Sequence, residues 1–271
     1  MKRVLMTIFL ILLLTATVIP VKAQSDTISQ LPNPTLHLPN YDSKVFHFGF
    51  LLAFNEMTLT LKTVKDYQSI AQPAASWPIG PFDYSNTQCL YVQNVEPMLR
   101  PGFTIGITSN LRLGRHFTLR LIPSMSFGER RIHYTIGIED LNGDITTKDF
   151  TKFIKTTLLE FPLNIKYHVL RYNNISPYLF GGINPKIDLK TQKAPVENIP
   201  QLEFVDLVTK RFDCAGEFGI GLDLYAKKFK FGVEIKMSEG LLDIVKSKNL
   251  IYTAPIDRLH NRMFQFSFLF E

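Results

Sequence analysis

Large apolar and small or polar residues alternate along most of this chain with a period of two, the repeat of a β-strand that shows different surroundings to its two faces. Phe46, Phe48, Phe50, Leu52 and Phe54 alternate with Val45, His47, Gly49, Leu51 and Ala53. The pattern returns at Phe103, Ile105, Ile107, Leu111 and Leu113, and at Phe117, Leu119, Leu121, Met125 and Phe127. It continues at Leu159, Phe161, Leu163, Ile165, Tyr167 and Val169, and in a shorter run from Pro177 to Ile183 that Gly181-Gly182 blurs. Three clear runs close the chain: Phe218 to Leu224, Phe229 to Met237, and Phe264, Phe266, Phe268 and Phe270. Between the large residues stand Gly, Ser, Thr and charges of both signs. A soluble sandwich would turn that face to water. A narrow membrane barrel uses such a face to fill its interior and turns the apolar face to lipid.

The links between runs alternate in length. Gly114-Arg115-His116, Arg171 to Ser176 and Ala226-Lys227 are short, whereas Asn55 to Pro101, Gly128 to Phe153, Asn184 to Arg211 and Glu239 to Asn261 are long. Short turns on one rim, long loops on the other and an even strand number are the outer-membrane asymmetry. The expectation is an all-β fold, an eight-stranded antiparallel up-and-down transmembrane β-barrel with short periplasmic turns and long extracellular loops. A soluble lipocalin-like barrel is the alternative, with its apolar face inward.

Eight strands enclose an interior just wide enough for side chains. A two-residue turn at Ala226-Lys227 would set Tyr225 opposite Lys228, Asp223 opposite Lys230 and Glu217 opposite Lys236, all four charges inward. Opposite charges across a ladder attract, and in a dry lumen each needs the other. With Arg112, Arg120, Glu160 and Lys166 they make a predicted lumen plug of Arg112, Arg120, Glu160, Lys166, Glu217, Asp223, Lys230 and Lys236. The closing aromatic strand, Phe264 to Phe270, is also the kind of carboxy-terminal strand that barrel-insertion machinery reads.

The amino terminus reads as an export signal. Lys2-Arg3 precedes an apolar run from Val4 to Ile19, then Pro20 and the small-residue site Val21-Lys22-Ala23. Residues 1–23 are the expected signal peptide, 24–44 a flexible periplasmic arm containing Pro32, Pro34 and Pro39, and 45–271 the barrel. A membrane anchor is the other reading of the apolar run. Composition changes little in this picture. The 271 residues are 45% hydrophobic and 20% charged, which excludes a wholly disordered chain. Of 30 Lys and Arg, Lys2, Arg3 and Lys22 belong to the leader, leaving 27 against 24 acidic residues, so the formal +6 is no argument for nucleic acid.

Catalytic and metal chemistry find no pattern. His37, His47, His116, His133, His168 and His260 are scattered, with no pair at metal-ligand spacing. No G-x-S-x-G, phosphate-cradling glycine loop or paired-Cys motif occurs. A lipid-modifying barrel enzyme would need a rim histidine, for which His133 and His260 are the candidates. Cys89 falls in the first long loop and Cys214 near the outer rim; a bond between them and two free thiols both remain open. The first loop also carries Trp77, Phe82, Tyr84 and Tyr91, aromatics suited to a partner contact or to a lid on the barrel.

Several stretches together resemble the PorT family, called SprT in gliding bacteria. They are Arg100-Pro-Gly-Phe-Thr-Ile-Gly-Ile-Thr-Ser-Asn-Leu-Arg-Leu113, Leu121-Ile-Pro-Ser-Met-Ser-Phe-Gly-Glu-Arg130 and Leu159-Glu-Phe-Pro-Leu-Asn-Ile-Lys-Tyr167, followed by Ser176-Pro-Tyr-Leu-Phe-Gly-Gly182, Phe218-Gly-Ile-Gly-Leu-Asp-Leu-Tyr225 with Phe229-Lys-Phe231, and the closing Phe-Glu. The resemblance implies an integral outer-membrane protein of Bacteroidota required by the type IX secretion system, in some bacteria with gliding motility. It implies no enzyme and no cofactor. The expected partners are outer-membrane lipid and, from the resemblance, other type IX secretion components; neither nucleic acid nor a small-molecule ligand is expected. A generic small barrel with an adhesin-like or envelope-stabilising role is the alternative. If the leader is read correctly, intact-mass analysis of protein recovered from outer membranes gives Gln24 as its first residue; retention of Met1 to Ala23 would make the run an anchor.

Overall fold

The computed structural model describes residues 36–39, 41, 44–73, 87–169, 171–190, 209–245 and 252–271. Trp77, Phe82, Tyr84, the signal segment and most of the amino-terminal arm lie outside these residues. The elements are β1 (Phe46–Thr63), β2 (Gln72–Pro73), β3 (Thr87–Met98), β4 (Arg100–Arg112), β5 (Phe117–Leu121), β6 (Ser124–Asp140), β7 (Ile145–Glu160), β8 (Leu163–His168), β9 (Ile175–Asp188), β10 (Phe212–Tyr225), β11 (Lys230–Gly240) and β12 (Ile256–Phe270). One 3-10 turn, Tyr67–Ser69, follows β1.

The alternation predicts eight strands, whereas the sheet has twelve. Of the four additional strands, one is the two-residue β2, one arises where Leu99 divides β3 from β4, and two arise from proline interruptions inside long runs. Ile122-Pro123 separates β5 from β6, and Phe161-Pro162 separates β7 from β8. Proline has no N–H to give a ladder. The carbonyls still serve: Ile107 N–H donates to Pro123 O at 3.0 Å and Ile122 N–H to Pro162 O at 3.1 Å. Pairing is antiparallel throughout, and the ladders run from β1 to β12, β11, β10, β9, β8, β5 and β4, with β4 pairing again with β1.

Two of the expected long loops are largely strand. β1 continues to Thr63 and β3 covers Thr87–Met98, so Cys89 and Tyr91 sit on a strand instead of in a loop. The segment from Gly128 to Phe153 is a hairpin of β6 and β7 closed around Leu141 to Asp144. The period of two never stops there, but the faces exchange roles. Along the first half of β1 the large residues Phe46, Phe48, Phe50, Leu52 and Phe54 are exposed; from Glu56 onward the exposed face turns polar, while Met57 and Leu59 are buried. β12 runs in register with it: Phe54 faces Phe266, and Thr58 faces Arg262. Just past the Phe rows, Arg262 Nε donates to Glu239 Oε2 at 2.5 Å and Thr60 Oγ1 to Glu239 Oε1 at 2.7 Å, a polar border on the exposed face.

The buried face inverts at the same level. Below the border it holds charges and amides beside a small apolar cluster of Leu51, Ala53, Ile122 and Leu269. Above it, Leu59, Leu90, Val92, Ile132, Tyr134, Ile136, Ile154, Ile244, Tyr252 and Leu259 pack as one apolar cluster. Tyr134 donates its hydroxyl to the Tyr252 carbonyl at 2.9 Å, the partner a buried tyrosine requires.

The β6–β7 turn beyond this border is an Asx-type turn. Asp140 Oδ1 accepts from the backbone N–H groups of Asn142 at 2.8 Å and Asp144 at 3.0 Å. Those N–H donors hold the Asp140 carboxyl below its usual range. A depressed folded value contributes stability above the ordinary carboxyl pKa and loses it as pH falls. Amide exchange at Asn142 and Asp144, corrected for the intrinsic rate, should therefore lose protection as pH drops below about 4. Asp140→Ala should remove that protection already at neutral pH.

Candidate functional site

Parity places Arg120 of β5, Lys166 of β8, Glu217 and Asp223 of β10, and Lys230, Glu234 and Lys236 of β11 on the buried face below the border. Arg120 is 0% exposed and Glu234 2%. Arg120 pairs with Glu234 through both terminal nitrogens, Nη2 to Oε2 at 3.2 Å and Nη1 to Oε1. Tyr178 adds its hydroxyl to Glu234 Oε1 at 2.5 Å. Above this pair, Glu217 takes Lys236 Nζ at 3.1 Å and Asn184 Nδ2 at 2.6 Å. The same Asn184 amide reaches Glu160 Oε2 at 2.5 Å, and Lys186 Nζ lies 3.6 Å from that carboxylate. Toward the short-turn rim, Asp223 lies 3.6 Å from Lys166 Nζ and 3.5 Å from Lys230 Nζ. A buried charge without such partners would cost several kcal/mol, so each contact answers the burial of the next.

The register between β10 and β11 differs from the one a two-residue turn predicts. Tyr225 faces Lys230, not Lys228, and Ala226 N–H closes the turn on Phe229 O at 3.0 Å. The shift is two residues, an even number, so every side chain keeps its face. Asp223 stands opposite Gly232 and Glu217 opposite Ser238, and both reach their lysines diagonally. Glycines make the space for the bulkier members. A Cβ at Gly221 would stand 2.3 Å from the Tyr178 ring, and one at Gly219 2.5 Å from the Phe180 ring. In return, the Tyr178 ring lies 3.7 Å beneath Lys166 Nζ and the Phe180 ring 4.5 Å beneath the Arg120 guanidinium.

Of the eight charges selected from the sequence, Arg120, Glu160, Lys166, Glu217, Asp223, Lys230 and Lys236 are buried together. Arg112 is not among them: it sits at the rim, partly exposed, with Nε donating to Gly114 O at 2.9 Å. The selection omits Glu234, Lys186, Arg130, Asp188, Asp213 and Glu271. Arg130 Nη2 reaches Asp188 Oδ2 at 2.8 Å, and Asn261 Nδ2 reaches Asp213 Oδ2 at 2.7 Å. The missing signal is parity carried past the apolar run: Lys186 and Asp188 follow Asn184 at steps of two.

Tyr91 donates to Glu139 Oε2 at 2.6 Å, which pushes its hydroxyl up to about 12. Cys89 and Cys214 are both free thiols. The recorded contacts of His133 are Thr151 Oγ1 at 3.3 Å and Asp149 Oδ1 at 3.6 Å. Among the described residues no group of three His, Cys, Asp or Glu stands close enough to hold a metal ion.

The comparison with protein families matches residues 23–246 to the model of the outer membrane protein beta-barrel domain. The chain belongs to this outer-membrane β-barrel family. A solved structure of the outer membrane protein OprG from Pseudomonas aeruginosa aligns over 82% of this chain and 93% of that one, at 9% identity and a TM-score of 0.37. No curated protein matches. Family membership gives the exposed apolar residues of β1, β4 and β12 their solvent, the hydrocarbon of the outer membrane, and leaves the barrel domain's buried charges to satisfy one another.

A double-mutant cycle tests that dependence. Arg120→Leu and Glu234→Leu should each lower unfolding stability in lipid vesicles by about 3–5 kcal/mol, because each strands a buried charge. The double variant should recover a large part of the loss. Additive losses would show that the two residues do not act as a pair.

Proposed function

We propose that the twelve segments act as eight walls of a closed, lipid-spanning barrel with a plugged lumen. We further propose that this barrel is an accessory or assembly component of the type IX secretion system, working through protein contacts. The eight-wall reading is supported by the ladders that lead from β1 back to β1 and by carbonyls that carry the ladder past Pro123 and Pro162. The secretion reading is supported by the resemblance to the PorT family along the strand sequences. The observation that carries the mechanism is the buried face itself. Among the described residues, ion pairs fill it below the polar border and the apolar cluster fills it above, which supports a lumen too crowded for an exported protein. Export through this chain is thereby disfavoured, and contact surfaces at the rims remain.

The generic-barrel alternative has one observation in its favour. The β6–β7 hairpin runs well past the apolar band to an exposed turn, a reach that also suits adhesion. Deletion of the chromosomal copy separates the two. The secretion reading expects loss of secreted cargo with an intact envelope; general leakiness with normal secretion would support the envelope role. Pure protein in planar bilayers should show no conductance of several nanosiemens, and its appearance would overturn the plugged-lumen argument.

A further inference from the structure

The short-turn rim holds a feature that the plug does not use. A cavity of about 190 Å³ opens there, lined by Arg112, Arg115, Lys166, Arg171 and Lys230, with Asn110, Tyr41 and Tyr225 among its other walls. Lys166 and Lys230 are matched from within by Asp223, and Lys230 also by Glu271. Arg112 and Arg115 face the same space and form no ion pair among the described residues. Arg112 uses Nε on the Gly114 carbonyl, which orients its terminal nitrogens without occupying them. Arg171 lies 3.5 Å over the Tyr225 ring and donates to the His37 and Leu38 carbonyls, which ties this wall of the cavity to the segment preceding β1.

Beside the cavity, three of its wall residues already hold one carboxylate. The Glu271 carboxylate takes Asn110 Nδ2 at 2.5 Å, Tyr41 Oη at 3.2 Å and the Lys230 ammonium. That is a carboxylate at the end of an extended strand, gripped by groups from three separate parts of the chain. A second carboxylate on a similar backbone would meet two guanidinium groups, whose planar forks pair such groups through parallel bonds. Approach is from water. Leu111, Leu113 and Phe117, next to the arginines in sequence, are exposed on the lipid-facing side, and the cavity lies on the other side of the strands.

We propose that this rim cavity is a docking site for an acidic peptide segment of a partner protein, with Arg112 and Arg115 as its anchoring residues. The inference deepens the protein-contact reading above and rests on it for the nature of the partner. Its test uses the isolated chain, so the two can fail separately. The full-length protein in uncharged detergent micelles is titrated with a fluorescein-labelled Gly-Ser peptide bearing a run of Asp, with anisotropy as the readout. Parallel arms use the same peptide with Asn for Asp, inorganic phosphate as competitor, and vesicles containing phosphatidylglycerol.

The Asp peptide should bind saturably and weaken as salt rises, and the Asn peptide should not bind. Arg112→Gln with Arg115→Gln should lower the affinity about tenfold or more, while Lys155→Gln, on the exposed face of β7, should leave it unchanged. Unaltered heat-modifiable gel mobility of the double variant excludes misfolding as the cause. Absence of saturable binding, or affinity indifferent to the double substitution, overturns the proposal. Full competition by inorganic phosphate, or capture by phosphatidylglycerol vesicles through the same arginines, also overturns it and assigns the cavity to a phosphate group. Binding that survives in a protein whose deletion leaves secretion intact would keep the site and remove the pathway.

Discussion

Every large apolar residue that these strands turn outward leaves the opposite face to be filled without contact with water. The Arg120–Glu234 pair is the central answer to that constraint. A guanidinium and a carboxylate, both buried, can stay ionised only if each completes the other, and Tyr178 supplies a further donor. The neighbouring groups follow the same logic. Asn184 bridges Glu160 and Glu217, Lys236 and Lys186 balance those carboxylates, and Asp223 lies between two lysines. Gly219 and Gly221 are small because Phe180 and Tyr178 fill the space, and those rings are there because cations lie over them.

A second solvent boundary organises the other half of the molecule. Where Glu56, Glu239 and Arg262 appear on the exposed face, the buried face changes from charge to Leu, Ile and Tyr. The strands pass through this boundary without a break in alternation. One set of strands therefore carries two cores, one built for surroundings of lipid and one built for surroundings of water. Family membership in the outer-membrane barrels accounts for the first core. The second is the ordinary arrangement of a soluble β-protein.

Much of this was legible in residue order. The runs beginning at Phe46, Phe103, Phe117, Leu159, Phe218, Phe229 and Phe264 fall on strands over most of their length, and parity assigned Asp223, Glu217, Lys230 and Lys236 to one face. The count of strands was not legible, because Pro123 and Pro162 divide ladders without ending the sheet, and because β2 and β3 lie in a stretch whose outward face carries no apolar band. Ile132, Tyr134 and Ile136 were hidden for a different reason. Their alternation with Arg131, His133 and Thr135 is as regular as any other, but its apolar side is the buried one, and a search for outward apolar bands passes over it. Arg112 shows the limit of parity alone: it has the right face but lies at the strand's end, where the cavity opens.

The two stacked cores also differ in how sequence change can travel through them. In the apolar cluster, Ile136 or Leu259 can be replaced by a residue of similar volume with only local repacking, because packing asks for shape alone. In the charged layer no member has that freedom. Altering Glu217 changes what Asn184 must do, which changes Glu160, and through it Lys186. Divergence in the upper half can proceed one residue at a time, whereas divergence in the lower half must proceed by compensated groups. The same strands therefore carry a segment open to single replacements and a segment open only to coupled ones.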